Sequence, residues 1–553
     1  MRYISELEPK SVFQYFEQIA HIPHGSKNTR QISNYLVDFA KDHKLKYRQD
    51  EMGNVIIWKG GKGKPVIIQG HMDMVCEKEP GCTKDMEKEG LEIYIDGDVL
   101  RAKGTTLGGD DGIAVAMALA LLDSDDPELP PIEAIITVDE EIGMLGAAAI
   151  DLSDVEGRTM LNIDSEEEGI FTVSCAGGAV GEISLAAERE EVTPDTLAYE
   201  VEISGLVGGH SGIEIHKNRA NAIQLLGRVL QRLRDDVGIR LVDLSGGAKD
   251  NAIAVSARAV FTIDESSRNA CGGICELCRT QDEGDDIREQ MMSLKSGFVD
   301  EATSAKMSEL AAAQTVDAKT LVKSVIETMK KSIANEYATS DPDISISCKS
   351  VAIGKLEFAD DAKNMKLDPM TVDCSNKIIY LLCAVPNGVQ RMSPDVEGLV
   401  QTSLNKGILK STRVVLPGDM IGEDRVGLAL CLRSSVGSEK DMLMRTLRDM
   451  ADVIGADIRF EGSYPGWKYS VESTLRDTMV DVFTKQFGYA PRVEAIHAGV
   501  ECGYFADKLP GLDCVSFGPE LKEIHTYRES MNIASVGRTY KLVLETLHSL
   551  ANK

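Results

Sequence analysis

The order of hydrophobic patterns along this chain predicts an α/β protein whose mostly parallel central sheet is interrupted by an inserted α+β unit. Three observations lead there. Short β-branched runs alternate with helical periodicities over residues 1–186, longer alternating strands dominate 187–462, and helices with short strands return over 463–553. Strands that alternate with helices imply a parallel sheet covered on both faces. A chain of 553 residues also exceeds what one ordinary core requires, which accords with two domains, the first made from both ends of the chain.

In chain order, Val12, Phe13, Phe16 and Ile19, then Ile32, Tyr35, Leu36 and Phe39, recur at helical spacing and predict two amphipathic helices. Val55 to Trp58 and Val66 to Ile68 are β-branched strand runs, and Gly112 to Leu122 is apolar nearly all round, as a buried helix is. Ile132 to Val138 and Met160 to Ile163 supply further strands. In the inserted unit, Leu197 to Ser204 and Ala252 to Ile263 alternate like half-exposed strands, with a helix over Ala220 to Leu233 between them. Arg425 to Arg433 and Ile458 to Glu461 add strands around a helix near 438–453, and a last helix is expected near 534–551. The stretch from about 265 to 375, charged and Ser/Ala-rich, is expected to be an extension of the inserted unit.

Charge and composition narrow the partners. A formal charge of −28, from 88 acidic and 60 basic residues, repels phosphate backbones and anionic lipid heads, so neither nucleic acid nor a membrane is an expected partner. The N-terminus lacks a basic region followed by an apolar run, and no later stretch approaches 18 uninterrupted apolar residues. A cytoplasmic protein is the expectation. Twelve scattered cysteines fit free thiols in a reducing compartment.

Chemistry concentrates at predicted strand ends. Pro65 to Asp73 runs a buried strand into His71 and Asp73, and strand alternation puts both on one side, where Asp73 can orient the His71 ring. Thr105 to Gly112 places Asp110 and Asp111 in a glycine-rich turn that opens a helix. Ile135 to Gly143 ends a strand in Asp139, Glu140 and Glu141, which would repel one another without cations nearby, so a plain solvated loop accounts for them less well than usual. Asp164 ends a fourth strand. Each segment alone is equally a turn or a solvated loop, but together they supply the imidazole and carboxylate donors that a two-metal site needs.

With these motifs in view, the chain resembles the di-zinc aminoacylase and dipeptidase superfamily, and within it the aminoacyl-histidine dipeptidases. The resemblance rests on GHMDMV, TLGGDDGI, TVDEEIGM, NIDSEEEG, GGHSGIEIH, PNGVQR, HAGVECG and EIHTYRES in this order, and covers nearly everything outside 265–375. It implies a zinc-peptidase-like catalytic domain with an inserted lid and dimerisation domain. It makes His71, Asp110, Glu141, Asp164 and His525 the ligands of two Zn2+ ions per subunit, with Co2+ or Mn2+ as substitutes, and Asp110 as the bridge. The same resemblance gives Glu140 as general base, Asp73 as support for His71, and His210 as a histidine that reaches the partner's active site in a homodimer. Asn251, Arg433 and Gly499 fall at substrate-binding positions.

The implied activity is hydrolysis of dipeptides, Xaa-His dipeptides included. A related amidohydrolase of N-acyl amino acids or a carboxypeptidase would share the metal chemistry, whereas a non-catalytic peptide-binding relative would have lost ligands that this chain keeps. His216 and His497 lie in family-like motifs without a metal role, Asp111 is told from Asp110 only by motif register, and Glu166 to Glu168 reads as a solvated turn. His21, His24, His43 and His548 read as local packing. The chain departs from the family pattern at His525-Thr-Tyr, where a proline is expected two residues after the histidine. Cys271, Cys275 and Cys278 have iron–sulfur spacing, with free thiols as the alternative.

Overall fold

Two sheets, each with its own hydrophobic core, organise the chain. The computed structural model describes residues 4–191, 196–263, 318–351, 368–412, 415–416, 420–421 and 423–551. Its first sheet has eight strands in the order Lys46–Gln49, Val55–Lys59, Ile132–Thr137, Val66–His71, Thr159–Asn162, Asp513–Ser516, Ile170–Cys175 and Arg492–Ile496. The middle strands Ile132–Thr137, Val66–His71, Thr159–Asn162 and Asp513–Ser516 run parallel. Lys46–Gln49 and Val55–Lys59 run antiparallel to their neighbours, the short turn between Gln49 and Val55 permitting no crossover within that pair, and Asp513–Ser516 meets Ile170–Cys175 antiparallel. Every residue of Val66–His71 and Ile132–Thr137 is buried, as expected of strands covered on both faces.

The helix Gly109–Asp123 is apolar on all sides and packs on the Val66–His71 strand and on Lys10–Ala20. Its last carbonyls and the residue beyond are held by the Lys59 ammonium, which donates to Leu121, Leu122 and Ser124. This fixes the far end of an element whose first turn carries Asp110. Among the described residues no helix is long and apolar enough to cross a membrane.

The second sheet has nine strands and is antiparallel throughout. Its order is Ser345–Val351, Leu197–Ser204, Ala257–Ile263, Arg240–Gly246, Val400–Thr412, Arg425–Ser434, Gly177–Ala186 and Asp457–Tyr464, with Gly388–Met392 beside Val400–Thr412. Helices Ala222–Val237, Ala318–Glu336, Val372–Ala384 and Gly437–Ile454 share its core. Two expectations change here. Gly177–Ala186 pairs with Arg425–Ser434 and Asp457–Tyr464, so the chain leaves the first sheet at Cys175, ahead of the boundary expected at 187. Strand periodicity reports burial and not which sheet a strand joins. Part of the expected extension is also integral, since Ser345–Val351 pairs with Leu197–Ser204 as an edge strand. Residues 264–317, with Cys271, Cys275 and Cys278, lie outside the described residues.

The two chain passages between the sheets bond to each other. Cys175 and Trp467 exchange both backbone hydrogen bonds at 3.0 Å. A Cβ on Gly177 would lie 2.4 Å from Gly466 N, so the close approach requires glycine.

Segments from both ends of the chain meet at Phe171, whose ring centroid is 5.6 Å from Phe483 and 6.1 Å from Phe517. Truncation of Phe171, which is 1% exposed, removes the contact area and leaves a cavity. Phe171→Ala is expected to lower the unfolding free energy by about 3–5 kcal/mol in urea denaturation. A loss under about 1 kcal/mol would mean that the site collapses around the gap.

Candidate metal centre

Parallel register decides which side chains meet. His71 lies opposite Thr137 and Gln69 opposite Asn162. The residues that follow these strands, Asp139 to Glu141 and Asp164, therefore emerge with His71 at one sheet edge, as carboxyl ends of parallel strands do in open α/β sheets. Asp110 arrives on the first turn of the neighbouring helix. His525 comes from the far end of the chain, carried in by a small sheet in which Ser530–Asn532 pairs with both Val99–Ala102 and Leu521–Lys522.

These elements bring together all five residues expected as ligands. Asp110 is central: its Oδ1 lies 3.2 Å from His71 Nε2 and its Oδ2 3.1 Å from His525 Nε2. Asp164 Oδ1 is 3.7 Å from His71 Nε2. Glu141 Oε1 is 2.9 Å from His525 Nε2 yet makes no hydrogen bond of good geometry, the relation of two donors aimed at a common point. Ligand atoms of His71, Asp110 and Asp164 form one compact group, and those of Asp110, Glu141 and His525 form another. A third grouping joins Glu140 to His71 and Glu141, so Glu140 stands beside both.

Asp73 acts on two neighbours. Its backbone carbonyl takes the hydrogen bond of His71 Nδ1 at 2.9 Å, while its carboxylate stands 3.5 Å away. That carboxylate instead accepts from the backbone N–H groups of Glu140 (3.0 Å) and Glu141 (3.4 Å) and from the Ser26 hydroxyl (2.9 Å). Thus Asp73 fixes the His71 tautomer through its main chain and the Glu140-Glu141 turn through its side chain. Asp111 points elsewhere, accepting from His71 N at 3.2 Å, and joins neither ligand group. Asp139 likewise turns away, to Lys27 N at 2.6 Å.

The electrostatics call for cations. Burial, with Asp164, Glu501 and Glu141 nearby, pushes the Glu140 carboxyl up to about 9. Burial likewise raises Glu141 and Asp164. Burial would also raise Asp110, but hydrogen bonds from His525 and His71 outweigh it and hold Asp110 below the usual range. The histidines respond in the opposite sense. The hydrogen bond to Asp110 and the close Glu141 carboxylate carry His525 up to about 10. His71, which burial would lower, is raised well above 6.5 by Asp110, Asp164 and Asp73. Converging carboxylates beside two imidazoles match the donor preferences of divalent zinc and similar ions, and the Glu141 oxygen left without a hydrogen bond fits a metal ligand.

The remaining expected residues gather in the second sheet's unit. His210 N donates to Glu214 Oε2 at 3.0 Å within the same unit. His210 Nδ1 accepts the N–H groups of Gly212 (3.1 Å) and Ile213 (3.2 Å), and burial and Arg433 lower its pKa. The neutral ring therefore carries its proton on Nε2, as a free donor. Arg433 is 8% exposed and donates to Tyr464 Oη at 3.0 Å, while its Nε has no hydrogen-bond partner. Asn251, exposed, accepts Ser211 N through its carbonyl. Gly499 sits so close to Tyr464 that a Cβ there would meet its ring at 2.7 Å. His497, driven down to about 3 by burial and then by Arg433, bonds Ser403 Oγ at 2.8 Å. His216 remains exposed on a short 3-10 helix.

Sequence reasoning missed several buried groups at the centre. Glu501, fully buried, accepts from Gln69 Nε2 (2.6 Å) and Thr137 Oγ1 (2.7 Å) directly beneath the strand ends. Glu529 accepts backbone N–H groups of the loop that carries Asp110. Both lie inside quoted motifs, HAGVECG and EIHTYRES, which was the available signal. Glu166 lines the cavity with Asp110 and Asp164, whereas Glu167 and Glu168 pair with Arg492 and Arg538 as a solvated turn would.

Imidazoles and carboxylates collected at the strand ends of an α/β sheet, in two groups that share one aspartate, define a metal-dependent hydrolase. The chain belongs to the peptidase family M20/M25/M40, whose model matches residues 67–549. It is 31% identical over 558 residues to the cytosol non-specific dipeptidase of Escherichia coli (strain K12), covering 100% of both chains. Among solved structures it is similar to the aminoacylhistidine dipeptidase of Vibrio alginolyticus, at 31% identity and a TM-score of 0.80, covering 99% of this chain and 98% of that one. A tripeptidase of Staphylococcus aureus, at 13% identity and a TM-score of 0.50 over 99% of this chain and 100% of that one, shares the fold.

His525, carried up to about 10, holds a proton at pH 7 in the metal-free protein, and the carboxylates of Asp110, Asp164 and Asp73 shift His71 toward its protonated form. A divalent ion that takes their Nε2 atoms displaces those protons. Zinc titration in weakly buffered solution at pH 7 is expected to acidify the medium, and apparent affinity is expected to fall as pH is lowered. Tight binding without proton release would contradict the ligand assignment.

Proposed function

We propose that this peptidase hydrolyses dipeptides, Xaa-His dipeptides among them, at a pair of zinc ions. The observation that carries the reading is Asp110, with one oxygen toward His71 and the other toward His525. On this reading His71, Asp110 and Asp164 would hold one ion, and Asp110, Glu141 and His525 the other. When bound, the pair supplies the Lewis acidity that makes water a nucleophile near neutral pH and polarises the scissile carbonyl. The dipeptidase activity named for the Escherichia coli and Vibrio alginolyticus relatives supports dipeptides as the substrate class.

Glu140 is the general base. Its carboxylate takes the proton of the attacking water and passes it to the leaving amine, and the Asp73 bond to its backbone N–H fixes its position. His210 offers its Nε2–H to the developing oxyanion of a partner subunit's site, a contribution on the order of 3 kcal/mol for one such donor. Arg433, with an unpaired Nε–H beside a bond to Tyr464, receives the substrate's terminal carboxylate as a forked donor, with Asn251 and Gly499 lining the same region. A carboxylate clamp favours very short substrates. The unit over 187–462, extended by Gly177–Ala186, is the lid and dimerisation domain of a homodimer, and the segments on either side form the catalytic domain.

The test compares zinc-loaded protein with Glu140→Ala on dipeptides including Xaa-His, tripeptides and N-acetyl amino acids. Release confined to dipeptides, with kcat lowered about 10²–10⁴-fold in the variant and zinc content retained, is expected. Turnover mainly of N-acyl substrates would reassign the protein to amide hydrolysis, and wild-type rates in the variant would remove Glu140 as base. Arg433→Met is expected to raise KM for dipeptides while leaving C-terminally amidated analogues nearly unaffected. An equal effect on both would take the carboxylate away from Arg433.

A further inference from the structure

Glu529 is 3% exposed and carries no role in the chemistry above. Its Oε2 accepts the backbone N–H groups of Leu107 (2.7 Å) and Gly108 (3.1 Å), and its Oε1 accepts those of Gly109 (2.8 Å) and Asp110 (3.4 Å). Four consecutive amides thus converge on one carboxylate, and both of its oxygens face donors only. These four donors favour the ionised form, against burial and the nearby Asp110, which push the carboxyl up to about 7.

The loop is built to allow this wrapping. Gly108 adopts φ +65°, and a Cβ on Gly109 would lie 3.2 Å from Glu529 Oε1 and 2.8 Å from Leu521 Cδ2. The paired glycines of TLGGDD therefore have a physical purpose: they let the backbone close around a side chain from the other end of the chain. Glu529 shares its turn with His525, since Glu529 N donates to Thr526 O at 3.1 Å. One short segment thereby delivers a ligand to Asp110 and an acceptor to the loop behind it.

Successive N–H groups in such a loop form a concave donor set that attracts the nearest carboxylate. Without Glu529, that carboxylate is Asp110 itself, one residue away. With Glu529 in place the amides are occupied, and both Asp110 oxygens are left to face His71 and His525.

We propose that Glu529 is a positioning residue for the metal centre, holding the 107–110 amides so that Asp110 presents one oxygen to each ion. The proposal rests on the reading of Asp110 as the bridging ligand, and the experiment separates the two. Cobalt(II) affinity and stoichiometry would be measured by competition with a chromophoric chelator for wild type, Glu529→Gln and Asp110→Asn, with folding followed by far-ultraviolet circular dichroism. Glu529→Gln keeps the volume but turns an NH2 toward amide donors. It is expected to fold, to lose about 10–100-fold in cobalt affinity, and to lower kcat with little change in KM. Wild-type affinity and kcat in folded Glu529→Gln would overturn the proposal. Wild-type affinity and stoichiometry in Asp110→Asn would instead overturn the reading of the centre.

Hydrogen exchange of the metal-free wild-type protein keeps the question open to decision if Glu529→Gln fails to fold. Slow exchange at the amides of residues 107–109, unchanged when cobalt is added, is expected of a loop held by Glu529. Fast exchange that slows only with cobalt would mean that the ions order the loop, and the proposal would fall.

Discussion

Repulsion among carboxylates gathered at one sheet edge sets the terms for the rest of this structure. Asp110, Glu140, Glu141 and Asp164 converge beside the imidazoles of His71 and His525. Buried like charges cannot all stay ionised without cations, and the elements around them are arranged to hold this poorly compatible set in place. Completely buried parallel strands fix the strand ends, and a helix without a polar face anchors the Asp110 turn. Hydrogen bonds to other carboxylates hold the loops: Asp73 grips the Glu140 turn, and Glu529 the Asp110 turn. Each acidic loop is tied down by an acid that stands outside the two ligand groups.

Much of this was legible in the sequence because parallel strands write their burial and their ends directly into residue types. The runs ending at His71, Thr137 and Asn162 are mostly apolar, and metal-competent side chains follow at the edge. Such a transition identifies a site without knowledge of topology. Asp110 and Asp111, by contrast, are adjacent and chemically identical, and only the backbone separates an outward ligand from one folded back onto His71 N.

What the sequence concealed were contacts between distant segments. Glu501 bonds Gln69 across 432 positions and Glu529 bonds Leu107 across 422, and neither pairing leaves a periodic trace. The placement of Gly177–Ala186 was hidden for a related reason. A strand's alternation records which of its faces is buried, and the partner it joins is decided by segments that follow hundreds of residues later. Tyr464, at the end of the strand Asp457–Tyr464, packs on Gly499 and bonds Arg433, linking the crossing between the sheets to the guanidinium.

The position of Asp513–Ser516 between Thr159–Asn162 and Ile170–Cys175 matters for how the protein is made. On the ribosome, the strands up to Cys175 emerge first, followed by the whole second unit, and only then the strand that fills the middle of the first sheet. Throughout that interval the nascent chain carries unpaired parallel edges rich in apolar residues, the kind of surface that recruits wrong partners. Synthesis of the inserted unit is therefore a period of exposure for the catalytic half. Translation speed and chaperone supply become determinants of how much active enzyme a cell obtains.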